Sequence, residues 1–187
     1  MRLTKLPGTT IETVLSPGVA DRHLEPMFFG GGLVLSQVCQ LAGLEGYIIQ
    51  NWVKRKYISH PEHKKYNQSQ LCRIFNINLL KDSFSLEQVS VLLSYINGDV
   101  LIKTANMIDD SKLYSYLVDC LALLGAPARL DPSRISEIIR KVIANYQSPY
   151  PGAVKHLFQV LEIMITAYEA GQIKSQAQEM FAHLDYK

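Results

Sequence analysis

The sequence predicts a mainly α protein with one small β excursion. Three observations carry that expectation. From Leu33 onward, apolar residues recur three or four positions apart, the spacing that lines one face of a helix. Glycine, proline and Asn, Asp or Ser residues punctuate this pattern at helix-length intervals. Residues 57–66 interrupt it with Pro61 among polar and basic residues, as a short hairpin does. Composition agrees. The chain has 187 residues, 48% of them apolar and 19% charged, which is globular rather than disordered.

Residues 1–29 hold three of the eight prolines and little periodicity, and read as an N-terminal arm lying on the body. Gly30-Gly31-Gly32 follows as a break. The first helix carries Leu35, Val38, Leu41 and Ala42, and Gly43 stands where a C-cap residue stands. The second runs from about Glu45 to Lys56. Ile48, Ile49, Trp52 and Val53 form its buried stripe, which places the sole tryptophan in the core. Two short helices joined by a glycine-containing turn match a helix-turn-helix.

The expected hairpin at 57–66 has Pro61 in its turn and Lys64 and Lys65 on the returning arm. Asn67 is an N-cap for a third helix bearing Leu71, Ile74, Phe75, Ile77 and Leu80. Ser85 caps a fourth, striped by Leu86, Val89, Leu92, Leu93 and Ile96 and closed by Asn97-Gly98. Residues 98–110 read as a polar connector. Three helical stretches follow over 111–124, 132–146 and 151–184, with Pro132 and Pro151 suited to first-turn positions. Gly171 is placed to break the last stretch in two. The expected division is thus an arm (1–29), a unit at 30–97, a connector (98–110) and a helical dimerisation or effector unit (111–187).

Several classes of activity find no footing. The Gly-rich phosphate loop, His-Glu-x-x-His and Gly-x-Ser-x-Gly patterns are missing, so the expectation is no enzyme, no catalytic residues and no cofactor. His60-Pro61-Glu62-His63 offers two histidines without the third or fourth ligand a metal needs, so no metal site is expected. Cys39, Cys72 and Cys120 are odd in number and widely spaced, which argues against a disulfide scaffold and for a reducing compartment. No apolar run reaches the roughly 18 residues of a membrane span, and no signal layout opens the chain. The expectation is a cytoplasmic protein with no membrane partner.

Charge supplies the positive clue. Net charge is only +2, but residues 31–97 carry +3, and five bases stand between Lys54 and Lys65 with Glu62 the one acid among them. A directed basic patch suits phosphate. On the second helix, Gln50 and Asn51 are of the type that bonds adenine, and Lys54 and Arg55 of the type that bonds guanine or phosphate. Lys56, His63, Lys64, Lys65 and Tyr66 are placed for the flanking backbone, Tyr66 by packing the hairpin onto the body with its hydroxyl free to reach phosphate.

Residues 35–93 resemble the DNA-binding domain of MerR-type regulators. The resemblance rests on Gly43-Leu44, Trp52, Tyr57-Ile58, Lys64-Lys65-Tyr66, Asp82-Ser83-Phe84-Ser85-Leu86 and Leu92-Leu93, in order and at matching spacing. A closer likeness is to the bacterial, itself MerR-like, family of unknown function DUF1836. It is carried by Leu35-Ser36-Gln37-Val38-Cys39, Ile49-Gln50-Asn51-Trp52-Val53-Lys54-Arg55, Lys64-Lys65-Tyr66, Leu92-Leu93-Ser94-Tyr95-Ile96-Asn97-Gly98 and Leu113-Tyr114-Ser115-Tyr116-Leu117.

These resemblances imply a mainly α fold: a MerR-like winged helix-turn-helix with a small β-wing, followed by a C-terminal α-helical domain. The implied function is transcription regulation on double-stranded DNA; because two-fold DNA sites call for a dimer, the helices of residues 111–187 are expected to join a homodimer or to take a small-molecule or protein effector. Where MerR-type proteins carry Thr, Arg and Tyr late in the second helix, this chain has Ile48, Gln50 and Asn51. That departure motivates the alternative of a protein–protein interaction module on a winged-helix scaffold.

Overall fold

A computed structural model of the chain describes residues 4–97, 107–125 and 131–184. Among them are eight α-helices and two small antiparallel strand pairs. In chain order, β1 (Thr4–Lys5) pairs with β2 (Glu12–Thr13), and α1 (Val19–Leu24) runs into a 3-10 turn (Glu25–Phe28). Next come β3 (Leu33–Val34), α2 (Leu35–Ala42), α3 (Gly46–Lys54), β4 (Lys65–Tyr66), α4 (Gln68–Leu80) and α5 (Leu86–Asn97). The last helices are α6 (Asp110–Leu124), α7 (Pro132–Val142) and α8 (Ala153–Ala182).

The core is organised around α4. Every residue from Gln70 to Ile77 is buried. A helix buried on all sides needs neighbours on all sides, and α4 packs on α2, α5, α6 and α8. Phe75 of α4 meets Tyr114 of α6 at a ring separation of 5.5 Å. One continuous apolar cluster runs from Leu6 through α4 and α6 to α8.

Several helix boundaries follow from local capping. Asn67 accepts the Gln70 N–H while the Gln70 side chain accepts the Asn67 N–H, both at 2.9 Å, a complete capping box. Ser85 and Gln88 repeat it at α5. Asp109 and Asp131 cap α6 and α7, and Pro132 occupies the first turn of α7 as expected.

Other expectations are corrected. Residues 4–29 do more than lie on the body as an arm. Leu6, Val19, Ala20 and Leu24 are buried in the common core, each large apolar side chain contributing about 1.5–3 kcal/mol relative to exposure. Polar contacts fasten the same segment. Tyr114 donates its hydroxyl to the Pro7 carbonyl at 2.6 Å, the Gly18 N–H donates to the Asp119 carboxylate at 2.7 Å, and Ser115 donates to Asp21. Burial pushes the Tyr114 hydroxyl well above its ordinary pKa, so it stays a donor. The helix within this segment escaped the sequence reading because it is only six residues long.

Gly171 does not break the last stretch, because α8 is continuous across it. Pro151 lies outside α8, which starts after Gly152 in the left-handed region at φ 94°. The first helix starts at Leu35, since Leu33 and Val34 are strand. Residues 98–106 of the expected connector lie outside the described residues; Met107 and Ile108 at its end are buried rather than solvated. Among the described residues no helix is long and apolar enough to cross a membrane.

Candidate nucleic-acid interface

The turn between α2 and α3 is built from glycine upward. Gly43 sits in the left-handed region at φ 65°, and a Cβ there would lie 2.9 Å from the Thr10 methyl group, so both backbone and space require glycine. Thr10 binds the end of α2 twice. Its N–H donates to the Leu41 carbonyl at 2.8 Å and its hydroxyl to the Gln40 carbonyl at 2.7 Å. These contacts satisfy carbonyls that a helix end leaves open.

On α3, Ile49, Trp52 and Val53 face the core, and Trp52 is only 3% exposed. Gln50, Asn51 and Lys54 are exposed together on the opposite face. Tyr47 joins them at 71% exposure. The positions 47, 50, 51 and 54 are spaced i, i+3, i+4 and i+7, which makes a single stripe. Sequence reading missed Tyr47, although its three-residue offset from Gln50 was the available signal.

The end of α3 is tied down. Arg55 pairs with Glu87 of α5 at 2.5 Å and lies over the Tyr57 ring at 4.9 Å, while the Tyr57 hydroxyl donates to the same carboxylate. Arg55 therefore does not belong to the open stripe. The α5 backbone at Glu87 holds its carboxyl below the usual range, and the Tyr57 and Arg55 contacts add to that effect. Lys56 is exposed just beyond, with φ 62°.

The 57–66 segment has a different geometry from the expected hairpin. Its turn is centred on His63 and Lys64, not on Pro61. Both central residues have positive φ, 49° and 63°, and the Lys65 N–H donates to the Glu62 carbonyl at 2.8 Å. This is the pattern of a type I′ turn, which ordinarily takes Asn-Gly. Beyond the Glu62–Lys65 bridge that closes the turn, the returning strand pairs elsewhere, since β4 joins β3 in the register Leu33 to Tyr66 and Val34 to Lys65. That pairing anchors the turn beside the start of α2.

Two side chains of α4 hold the rest of the loop. Gln70 donates to the Ser59 and His60 carbonyls at 3.0 Å, and Arg73 Nε donates to the Tyr57 carbonyl at 2.6 Å. Neither role was readable from apolar spacing.

His63, Lys64 and Lys65 are exposed at the turn. Tyr66 packs onto the body as expected: it is 4% exposed and part of the core, with its hydroxyl pKa raised first by burial and then by Cys39. Of the nine residues singled out, then, Gln50, Asn51 and Lys54 share one exposed helix face. Lys56, His63, Lys64 and Lys65 are exposed on the loop, Arg55 is paired, and Tyr66 is interior.

None of the three cysteines has a lowered thiol pKa. Burial raises the Cys39 and Cys72 thiols and pushes Cys120 up to about 12, which keeps all three protonated at neutral pH. Among the described residues there is no group of three His, Cys, Asp or Glu able to hold a metal ion.

Comparison with known proteins finds a family model that matches part of the chain and one similar protein. Residues 32–117 match the model of a domain of unknown function, DUF1836. The match runs from the start of β3 to the middle of α6, so it contains the α3 stripe and the turn. The chain is similar to the uncharacterized protein YkrK of Bacillus subtilis (strain 168), at 27% identity over 131 residues. That alignment covers 68% of this chain and 54% of the relative, so the chain spans about half the relative's length. No solved structure matches.

Proposed function

We propose that the unit matching DUF1836 is a MerR-like winged helix-turn-helix, and that the protein is a DNA-binding transcriptional regulator. The observation that carries this reading is the exposed stripe Tyr47, Gln50, Asn51 and Lys54 on α3. It follows a glycine-capped turn and is accompanied by a strand-anchored loop bearing His63, Lys64 and Lys65. In this reading α3 enters the major groove. Gln50 and Asn51 read base edges, and Lys54 contacts phosphate or guanine. Lys64 and Lys65 neutralise the flanking backbone. A reader of two-fold sites works as a dimer, and the helices after residue 107 supply the surface for it.

The test is fluorescence anisotropy with random-sequence and genomic-library duplexes across about 50–200 mM salt. Each neutralised phosphate contributes a slope of about −0.9 in log K against log salt. Lys64→Glu/Lys65→Glu weakens binding to every sequence and flattens that slope, whereas Gln50→Ala or Asn51→Ala changes sequence preference. Wild-type protein that binds no duplex at 50 mM salt refutes the reading.

One observation favours a second reading, the protein–protein module. An apolar groove of about 590 Å³ lies between α5 and α8, lined by Phe84, Val91, Leu92, Tyr95, Val160 and Ile163. Val91 is 71% exposed there, more than a finished surface ordinarily leaves a large aliphatic side chain in such company. In that reading duplex affinity is absent and partner capture is lost with Val91→Glu.

A further inference from the structure

A second groove, of about 480 Å³, opens on another side of the molecule. One wall is the loop joining β1 and β2, the floor is the end of α4, and the far wall is α8. Unlike the α5/α8 groove it is lined mainly by polar groups, among them Lys5, Asn78, Lys81, Asp82, Gln172 and Ser175.

Its loop wall is rigid. Gly8 has φ 73°, and a Cβ on it would lie 2.5 Å from the Phe75 carbonyl, so the loop is seated on α4 with no slack. Asn78 locks the contact by donating to the Gly8 and Ala42 carbonyls, both at 2.9 Å.

Its α8 wall has an opening. Gly171 lines the groove in the interior of a 30-residue helix, where glycine is disfavoured against alanine. Packing does not demand it. A Cβ there would meet the Ser83 hydroxyl at 3.6 Å and the Asp82 Cβ at 3.9 Å, both ordinary contacts, and no positive φ is involved. What the glycine does is leave the groove clear of a side chain.

The charges favour an anion. Lys5 and Lys81 line the groove and have no ion-pair partner among the described residues. Lys174, one turn beyond Gly171, donates to the Asp82 carbonyl at 3.4 Å. Opposing them are the carboxylates of Asp82 in the lining and Glu12, which faces Lys5 across the strand pair. In the lining itself two ammonium groups stand against one carboxylate, which suits an anion, and the Gln172 amide and Ser175 hydroxyl suit one that also carries hydroxyl groups.

We propose that this groove is a binding site for a small hydroxylated organic anion, whether a hydroxy acid or a sugar phosphate. The site also touches the candidate reader. Its loop continues into Thr10, which holds the Gln40 and Leu41 carbonyls of α2, and Asn78 holds the Ala42 carbonyl. An occupant that bears on the loop therefore bears, through the same contacts, on the α2–α3 turn. That consequence rests on the DNA reading; the binding site itself does not.

The experiment is calorimetric titration and thermal melting of the full chain with citrate and with glucose 6-phosphate, in the absence of DNA. Saturable binding of either probe, weakened at least tenfold in Gly171→Leu and in Lys5→Glu/Lys81→Glu but unchanged in Lys64→Glu/Lys65→Glu, supports the site. The probe that binds distinguishes carboxylate from phosphate ester. Gly171→Ala, which adds only that Cβ, is expected to melt no lower than wild type. A lower melt would mean that packing requires the glycine and would overturn the argument, as would binding of neither probe or equal binding in all variants. Failure of the protein to bind DNA leaves these measurements untouched.

Discussion

Arg73 in the middle of α4 and Asp110 in the first turn of α6 form an ion pair at 3.3 Å, with both side chains almost wholly removed from solvent. The same guanidinium donates through Nε to the Tyr57 carbonyl. One buried charge thus joins the central helix, the base of the 57–66 loop and the helix that follows the segment 98–106. All three partners lie within the family-matching residues 32–117.

A buried charge deprived of its partner is costly, because desolvation is no longer offset. Asp110→Ala is expected to lower unfolding stability by about 3–5 kcal/mol. Urea unfolding followed by circular dichroism measures it. A loss below about 1 kcal/mol, typical of exposed pairs, would show that the pair is not insulated from water. Arg73→Met combined with Asp110→Leu should cost far less than the single change, since it removes both charges together.

The type I′ turn at His63 and Lys64 places two non-glycine residues at positive φ, a conformation that L side chains adopt only at a cost. His63→Asn/Lys64→Gly supplies the residues this turn prefers and is expected to stabilise the protein by about 1 kcal/mol, or roughly 2–4 °C in Tm. On the proposed function the same variant binds DNA more weakly, having lost a cation at the tip. A higher Tm together with unchanged DNA affinity would remove Lys64 from the interface.

Glu87 occupies the guanidinium of Arg55. Glu87→Gln is expected to release it. If α3 meets DNA, the freed cation should tighten binding and steepen the salt slope by about one unit. Unchanged affinity and slope would place Arg55 away from the phosphates.

Glu169 supplies the pH dependence. It is 7% exposed, and burial raises its carboxyl pKa above the ordinary 4.5. The folded state therefore holds this proton to higher pH than the unfolded state does. Stability from this residue is full below the unfolded value and falls as pH rises through the folded one. Glu169→Gln should flatten that fall, so the stability difference between variant and wild type grows in the variant's favour from about pH 4 toward pH 7. Urea midpoints at three or four pH values measure it, and a difference constant with pH would contradict the assignment.

Much of this was legible along the chain. Gly43 ends α2, Asn67 and Ser85 open α4 and α5, and Pro132 opens α7, because caps act over three or four residues and leave their mark in adjacent letters. Trp52 falls in the core and Gln50, Asn51 and Lys54 fall outside it, since helical spacing alone separates two faces. Expectation failed where the deciding contact was distant. Arg55 read as an open cation until Glu87, 32 positions away, came beside it. For Tyr66 the packing onto the body was legible, but the pairing of β4 with β3 that sets its ring in the core was not.

The sequence by itself determined the helical character of the chain, most of its helix starts and the two faces of α3, all of which depend on residues within a turn or two of each other. Only the tertiary structure decided that the N-terminal segment belongs to the core, that the 57–66 turn centres on His63 and Lys64, and that Arg73 meets Asp110. It likewise left a polar groove beside Gly171. The physical reason is that burial, strand pairing and ion pairing are settled by which distant surfaces meet, and periodicity within a segment carries no record of that meeting.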